Sequence, residues 1–303
     1  MIWIILGIVI FLYVGFSLTL FFLSFTNWDK SPELPVKDSY HIERCAKGYR
    51  EFDSFEKEDV YIQSFDHHKL HGYFIKNEKS NKVVISFHGF NTEARKEYPL
   101  HYSYYNAGYT VLIVDQRGVG KSKGRFITMG VLERFDCLKW IDYIVARYHG
   151  EVEIVLDGLS MGASTIMMAA KDIHHTQVKG MILNSGFNSC KEELAYVITR
   201  LMKLPRQPVL WTAQFLARIF AKYDMEAITA CESMAQCEIP LLMIHGEKDT
   251  FVPYENLHKI FPCAKAADKK MVSVENASHG IACFVDPERF DSEIQQYLAE
   301  IDF

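Results

Sequence analysis

The stretch Asp157-Gly158-Leu159-Ser160-Met161-Gly162 decides the fold of this chain. It follows the apolar, β-branched run 154–156 and places a serine between two glycines in the pattern G-x-S-x-G. This pattern is typical of a sharp turn from a strand into a helix, with the serine at the tip in a strained backbone conformation. A side chain at position 158 or 162 would collide with the neighbouring strand and helix, which glycine avoids. The pattern therefore predicts a Ser160 hydroxyl exposed above the end of a sheet.

A serine nucleophile of this kind requires an acid and then a histidine later in the chain, each just after a strand. Asp249 follows the apolar run 239–244, whereas the rival aspartates lie late in a helix or inside an insertion. His279 follows the last predicted strand, whereas His258 lies in an amphipathic helical stretch. The sequence therefore predicts the catalytic residues Ser160, Asp249 and His279.

Backbone N–H groups are the predicted stabilisers of the oxyanion that would form at the substrate carbonyl. The buried strand 83–87 ends in His88-Gly89-Phe90-Asn91, a turn in which the N–H of Phe90 can point at a developing negative charge. Met161, directly after the serine, supplies a second N–H. We expect the N–H groups of Phe90 and Met161 to form the oxyanion hole.

Several other kinds of site are excluded by spacing and charge. The loop after the strand 110–115 lacks glycine where a P-loop or a dinucleotide fingerprint requires it, because Asp115 and Lys123 stand there. The histidines of the predicted hairpin 60–75, His71 among them, have no carboxylate or thiolate set at ligand spacing, which favours a solvated hairpin. A net charge of -5 gives no nucleic-acid footprint. We expect no cofactor, no metal and no nucleic-acid partner.

The N-terminal segment is expected to cross a membrane. Residues 1–28 carry no charged side chain, and seventeen of residues 2–25 are Ile, Leu, Val or Phe. At about 1.5 Å per residue, 24 helical residues span a hydrocarbon core of about 30 Å. A cleaved signal peptide is the alternative, but the run is too long, no Lys or Arg precedes it, and no A-x-A site follows. We therefore expect a single-pass anchor.

Two observations favour a cytoplasmic catalytic domain. The seven cysteines are an odd number without a C-x-x-C pair, which argues against a disulfide framework or a zinc site and favours a reducing compartment. Lys30, Lys37 and Arg44 follow the apolar segment while no basic side chain precedes it. The positive-inside rule then places the following domain in the cytoplasm.

The chain divides into an anchor at 1–28, a juxtamembrane linker at 29–57 and one α/β domain at 58–303. Apolar runs predict strands at 60–62, 70–75, 83–87, 110–115, 154–156, 178–183, 239–244 and 271–274. Helical patterns flank them, and the last helix begins at Pro287. From about 187 to 236 only helical patterns appear, which predicts a lid inserted between strands. All the motifs lie after residue 60, so we expect the catalytic domain to be active without the anchor.

The ordered motifs together resemble a known family. They are His88-Gly89-Phe90, the loop from Asp115 to Gly124, Gly158-x-Ser160-Met161-Gly162, His245-Gly246-x-x-Asp249 and Ser278-His279-Gly280. Over residues 58–303 the chain is similar to α/β-hydrolases, most of all to their serine-aminopeptidase-like branch and its membrane-anchored relatives. The resemblance implies a mostly parallel eight-stranded sheet with helices on both faces, the triad above and no cofactor. The branch also includes esterases, lipases and thioesterases, so its name does not settle the substrate.

The sequence therefore predicts a membrane-anchored serine hydrolase that cleaves an ester or thioester of a small acyl substrate, with a lipid as one candidate, through an acyl-enzyme. The lid carries more apolar residues than one packing face needs, and these either cover the sheet or line an acyl pocket open to the bilayer. Medium-chain esters are favoured over aminoacyl amides because the lid offers no evident acidic pair for a free α-amino group except Glu192 and Glu193 near its start. An aminopeptidase or amidase, an acyltransferase and a non-catalytic binding protein are the alternatives.

Overall fold

The computed structural model describes residues 2–27, 33–34 and 39–303, and it places an eight-stranded sheet at the centre of the chain. The strands are β1 (Glu58–Gln63), β2 (Lys69–Ile75), β3 (Lys82–Phe87), β4 (Thr110–Asp115), β5 (Glu153–Leu159), β6 (Val178–Asn184), β7 (Leu241–Gly246) and β8 (Lys269–Val274). Each predicted strand is present, because buried strands of this kind are recognisable as short apolar runs.

The sheet order is β1-β2-β4-β3-β5-β6-β7-β8. Strand β2 pairs antiparallel with β1 and β4, and the remaining neighbours are parallel. Strand β3 lies between β4 and β5, so the chain first moves to one side of β3 and then crosses to the other. In such sheets ligands bind beyond the carboxyl ends of the strands where this reversal occurs. The topology therefore places a site above the ends of β3 and β5.

Helices cover both faces of the sheet because successive strand residues point to opposite sides. Val83 and Ile85 of β3 belong to one buried cluster, and Val84 between them belongs to the other. The helices are α1 (Ile2–Phe25), α2 (Ser39–Ser54), α3 (Ala94–Glu97), α4 (Glu133–Arg147), α5 (Met161–Ala169), α6 (Cys190–Tyr196), α7 (Arg206–Leu216), α8 (Ala230–Met234), α9 (Glu255–Ile260), α10 (Ala282–Val285) and α11 (Pro287–Glu300). The α/β-hydrolase fold predicted from the sequence is confirmed.

The inserted lid consists of α6, α7 and α8, between β6 and β7. Helix α6 continues into a π-helical turn at Val197–Leu201, and α7 continues into another at Ala217–Ala221. These two helices correspond to the two apolar patterns of the predicted lid.

The segment expected to be a linker is partly folded onto the domain. The described part of 29–57 includes α2, whose Cys45, Tyr49 and Phe52 are buried against the sheet. Of residues 29–38 of the predicted linker, only 33 and 34 are among the described residues. Helix α2 is therefore part of the hydrolase domain rather than a spacer.

Helix α1 is long and apolar enough to cross a membrane, with a mean hydropathy of 2.6. Its last three turns nevertheless pack on the lid and on the loop before α4. Phe21 and Phe25 are buried there with Leu216 and Tyr223, and Phe25 O accepts the N–H of Ile127 at 2.8 Å. This contact differs from the expectation that the anchor and the domain are independent, because the end of α1 supplies core residues.

The hairpin histidine His71 is buried, so the expected solvated hairpin is incorrect at this residue. Its Nδ1 lies 2.7 Å from Asp115 Oδ2 and its Nε2 lies 2.6 Å from Asp59 Oδ1. The carboxylate of Asp115 also accepts the N–H groups of Ala94 and Lys121 at 3.0 and 2.9 Å. The glycine-rich loop after β4 is thus held as a structural turn, as the sequence predicted.

The cysteine prediction also needs correction. Cys231 and Cys263 form a disulfide between the start of α8 and the end of α9, 32 residues apart in sequence. The other cysteines, Cys45, Cys137, Cys190, Cys237 and Cys283, are free and buried. An odd cysteine count excludes complete pairing but not a single bridge.

We predict that Phe21→Ala lowers the free energy of unfolding by about 3 to 5 kcal/mol, the usual effect of truncating a buried phenylalanine. Phe21 is 2% exposed, whereas Phe11 on the same helix is 77% exposed, so Phe11→Ala is the matched control. Denaturant unfolding of both variants in detergent micelles measures the difference. Equal stability of the two variants would show that the end of α1 is not part of the folded core.

Candidate active site

Ser160 lies at the turn between β5 and α5 with φ +55° and ψ −116°, a conformation that L side chains rarely adopt. The flanking glycines have the steric roles predicted for them. A Cβ on Gly158 would lie 2.6 Å from Ala163 N, and one on Gly162 would lie 2.0 Å from the carbonyl oxygen of Phe87 in β3. The turn therefore closes only with glycine at both positions.

The structure brings the three predicted catalytic side chains together. His279 Nδ1 lies 2.7 Å from Asp249 Oδ2, and His279 Nε2 lies 2.9 Å from Ser160 Oγ. Because an ionised carboxylate accepts hydrogen bonds, the imidazole proton is on Nδ1, and Nε2 is free to accept the serine hydroxyl proton. The residues come from turns after β5, β7 and β8, and they are separated by as many as 119 positions in sequence. This arrangement is suited to nucleophilic catalysis by Ser160.

Asp249 is held in place by more than His279. Its Oδ1 accepts the N–H groups of Phe251 and Val252 at 3.0 and 2.9 Å, and His245 Nε2 lies 3.2 Å from its Oδ2. Burial alone would raise the pKa of Asp249, but the hydrogen bonds from His245 and His279 outweigh burial and lower this pKa to about 2. The carboxylate is therefore ionised throughout the neutral range. His245 was part of a sequence motif without an assigned role, and its position indicates that it orients the acid.

The predicted oxyanion donors lie on either side of Ser160. Met161 is the first residue of α5, where the N–H has no acceptor within the helix, and Phe90 lines the same cavity as Ser160. The turn that carries Phe90 is fixed by His88, whose Nε2 accepts the N–H of Gln116 at 2.9 Å and whose Nδ1 donates to Gly89 O at 2.7 Å. The loop is thus ordered by its own buried histidine.

A buried ionic network supports this loop from behind. Glu97 Oε1 accepts the N–H of Gly89 at 2.7 Å, and His101 lies between Glu97 and Asp157, with Nδ1 2.6 Å from Asp157 Oδ2. Burial alone would lower the pKa of His101, but the charges and hydrogen bonds of Asp157 and Glu97 raise it to about 10. The imidazolium therefore links the oxyanion turn to β5. Sequence reasoning missed Glu97 and His101 because no local pattern marks them.

A cavity of about 490 Å³ opens beside Ser160. Its walls come from the oxyanion turn, the loop after Asp249, the lid and α1, and nearly all its surface is apolar. It is lined by Leu20, Leu23, Ser24, Phe25, Phe90, Met129, Ser160, Phe187, Glu193, Leu194, Val197, Met202, Phe251 and Val252. Helix α1 and the lid thus form the walls of the candidate substrate pocket.

Among the described residues that line this cavity, Glu193 is the only one with a titratable carboxyl, and its side chain is buried. Its Oε1 has no hydrogen-bond partner among the described residues. Burial, with a smaller effect of the nearby charge of Asp249, raises the pKa of the Glu193 carboxyl from 4.5 to about 8. Glu192, the other member of the predicted acidic pair, instead accepts Lys259 Nζ at 2.6 Å on the surface. Of these two glutamates, only Glu193 therefore lines the pocket.

The described residues contain no group of three or more His, Cys, Asp or Glu side chains arranged to hold a metal ion. The polar atoms around Ser160 are instead bonded to one another, as in the pairs His279–Asp249 and His88–Gln116. The site thus has the side chains for acyl transfer without a visible place for a metal.

The eight-stranded sheet, the strained serine turn and the helical lid define an α/β-hydrolase. The sequence model of the family described as "Serine aminopeptidase, S33" matches residues 78–233, about half of the chain. The chain belongs to this family.

Curated relatives extend the similarity over most of the chain. The YqkD protein of Bacillus subtilis is 23% identical over 250 residues, covering 82% of each chain. The Bem46 protein of Schizosaccharomyces pombe is 25% identical over 260 residues, 84% of this chain and 80% of that one. The membrane protein YNL320W of Saccharomyces cerevisiae is 25% identical over 217 residues, 71% and 70% of the two chains.

Solved structures give the same fold. The Pyrococcus furiosus esterase Pf2001 superposes with a TM-score of 0.66 at 25% identity, covering 82% of this chain and 93% of that one. A membrane phospholipase A described as a bacterial virulence factor superposes with a TM-score of 0.60 at 18% identity, covering 100% and 99% of the two chains. The chain therefore shares the fold of these two enzymes.

We predict that Glu193→Gln removes a pH-dependent loss of stability. The raised pKa means that the folded wild type binds a proton more tightly than the unfolded chain, so its stability falls as pH rises from 4.5 to about 8. The loss is at most about 1.4 kcal/mol per pH unit. The melting temperature of the variant, relative to that of the wild type, should therefore rise across this interval. A difference between the two melting temperatures that does not change with pH would contradict a buried, protonated carboxyl at position 193.

Proposed function

We propose that the protein is a membrane-anchored serine hydrolase that cleaves carboxylic esters or thioesters through an acyl-enzyme. The observation that carries the proposal is the hydrogen-bonded series Ser160, His279 and Asp249 at the wall of an apolar cavity, with distances of 2.9 and 2.7 Å. The membership of an α/β-hydrolase family and the likeness to esterases support the same reaction class.

The proposed mechanism uses the chain's own groups. His279 Nε2 accepts the Ser160 proton as Oγ attacks the carbonyl carbon, and Asp249 stabilises the imidazolium that forms. The N–H groups of Phe90 and Met161 stabilise the oxyanion, each by an amount on the order of 3 kcal/mol. The imidazolium then donates its proton to the leaving alcohol or thiol. Water deacylates the serine by the same steps in reverse, and an alcohol or thiol in place of water would make the reaction an acyl transfer.

The pocket favours an apolar acyl group. Its volume of about 490 Å³ is roughly three times that of a cavity of about 150 Å³ that admits benzene. On that scale the cavity has room for roughly eighteen carbons, so a medium-chain acyl group fits together with part of its leaving group. Each buried methylene contributes about 0.8 kcal/mol, or three- to fourfold in binding. We therefore propose medium-chain acyl esters as the substrate class.

An aminoacyl amide is the second candidate, and Glu193 is the observation that favours it. A carboxylate in the pocket wall could bind a free α-amino group. The raised pKa leaves this carboxyl protonated at neutral pH, where it donates a hydrogen bond to a hydroxyl or carbonyl oxygen more readily than it pairs with an ammonium. The pocket therefore supports an ester more strongly than an aminoacyl amide.

The proposed anchor is α1, with the catalytic domain on the cytoplasmic side. The support for the anchor is the length and hydropathy of the helix, together with the membrane-protein name of one relative. The support for the side is the sequence pattern of Lys30, Lys37 and Arg44 after the helix. The cysteine count no longer supports a reducing compartment, because Cys231 and Cys263 form a disulfide.

We predict that Ser160→Ala abolishes both ester hydrolysis and labelling by a fluorophosphonate, because the attacking oxygen is removed. Asp249→Asn should lower turnover by about 10⁴, since it favours the wrong tautomer of His279. His279→Gln should be inactive, whereas His258→Gln, an exposed histidine on α9, is the matched control with wild-type activity. Labelling of a Ser160→Ala protein at the wild-type rate would assign the nucleophile to another residue, whereas a wild-type protein that is neither labelled nor active would leave a non-catalytic binding protein.

We predict that kcat/KM rises as the acyl chain of a p-nitrophenyl ester is lengthened from C2 towards C8. The reason is burial of additional methylenes in the cavity beside Ser160. The measurement is a chain-length series up to C12 together with aminoacyl p-nitroanilides. A steady fall beyond C2, or faster cleavage of aminoacyl amides than of every ester, would reject the proposed substrate class.

A further inference from the structure

Helix α1 is divided into a free half and a packed half. From Ile2 to Leu12 its large side chains are exposed, with Trp3 at 82% and Phe11 at 77%. The first contact with the lid is the hydrogen bond between Tyr13 Oη and Thr212 Oγ1, at 2.7 Å. Beyond it Ser17, Phe21 and Phe25 are buried against the rest of the protein. The lid therefore begins beside the middle of α1.

This division sets how deep the lid lies if α1 crosses a bilayer. The free stretch from Ile2 to Leu12 is about 16 Å long at about 1.5 Å per residue. A hydrocarbon core is about 30 Å thick, so roughly another 14 Å of helix must also lie within it. That length comes from the half of α1 that packs on the lid, and any tilt of α1 increases it. The part of α7 around Thr212 must then lie below the membrane surface.

The outer face of α7 has the composition that such a position requires. Trp211, Phe215 and Ile219 recur every four residues on one side of the helix and its π-helical extension, and they are 64%, 60% and 43% exposed. A row of large exposed apolar side chains on a domain usually marks an interaction surface. Arg206 precedes this row in sequence, and Arg218 is the neighbour of Ile219; both are exposed, and Arg218 forms a surface ion pair with Asp224 at 2.8 Å. Arginines in these positions can reach lipid phosphates while the aromatic side chains contact acyl chains.

We propose that the row Trp211, Phe215 and Ile219 is inserted into the leaflet that α1 enters beside the domain, with lipid as its partner. The proposal rests on the membrane anchor of the proposed function but not on the substrate class. Leu20, Leu23 and Ser24 of α1 line the cavity beside Ser160, about two to three turns from the Tyr13 contact. The inserted lid therefore places the pocket next to the lipid, and an acyl substrate dissolved in the leaflet reaches Ser160 without crossing water.

The test uses full-length protein in vesicles of phosphatidylcholine and phosphatidylglycerol. Phe215→Cys carries an environment-sensitive fluorophore, and Met271→Cys, at an exposed apolar position of β8, carries the same fluorophore as the control. The free cysteines of the described chain are buried, and labelling without reductant leaves the Cys231–Cys263 disulfide intact. Nitroxide groups on lipid acyl chains should quench the position-215 probe several-fold more than the position-271 probe, and aqueous iodide should show the reverse order.

The results of this test distinguish failure of the lid insertion from failure of the membrane anchor. Protein that floats with the vesicles but whose position-215 probe is quenched by iodide as strongly as the control overturns the inserted lid and leaves the anchor standing. Protein that does not float overturns the anchor and the inserted lid with it. Trp211→Cys is the second labelled variant, and it replaces Phe215→Cys if that chain does not fold. Neither substitution lies in the catalytic machinery, so hydrolysis of a short soluble ester should be unchanged in both.

Discussion

The structure depends on one close approach, that of Gly162 at the start of α5 to the end of β3. A methyl group at this position would lie 2.0 Å from the Phe87 carbonyl oxygen, so the turn after β5 can pass over β3 only where that side chain is absent. The contact has two consequences for chemistry. It forces Ser160 into its strained conformation above the sheet, and it brings the first turn of α5 beside the oxyanion turn that follows Phe87. Nucleophile and oxyanion donors are thus positioned by the same steric constraint.

The strained backbone conformation of Ser160 persists only because the surrounding contacts hold the turn in place. The buried charges of Glu97, His101 and Asp157 contribute to that order because they join the oxyanion turn to β5, directly before the strained residue. Buried ionic groups are a poor source of net stability, since their desolvation offsets their attraction. Their value here is geometric: the Gly89 N–H is fixed by a carboxylate that is itself fixed by a cation.

The strands, and the proximity of three polar side chains beyond their ends, could be predicted from sequence because each rests on a local signal. A buried strand is an apolar run, and Ser160, Asp249 and His279 each follow one. Their assembly at one edge then follows from parallel topology. The contacts that were missed join distant positions, such as Phe25 with Ile127, or Cys231 with Cys263. The local sequence around His71 does not reveal that this side chain is buried, because its two carboxylate partners lie 12 and 44 residues away in sequence.

The least predictable feature was the dual role of α1, and the reason is physical. Apolarity is what a membrane span and a protein core both require, so an all-apolar helix does not reveal in sequence which face meets lipid and which meets protein. In the structure the side chains are free up to Leu12, and from Tyr13 onward one face of the helix packs on the protein. A pocket whose wall includes that packed end is complete only while the anchor is attached. If α1 is the membrane anchor, as proposed, then membrane attachment and substrate binding are coupled through one helix. A change that loosens α1 from the lid would alter the pocket before it altered the arrangement of Ser160, His279 and Asp249.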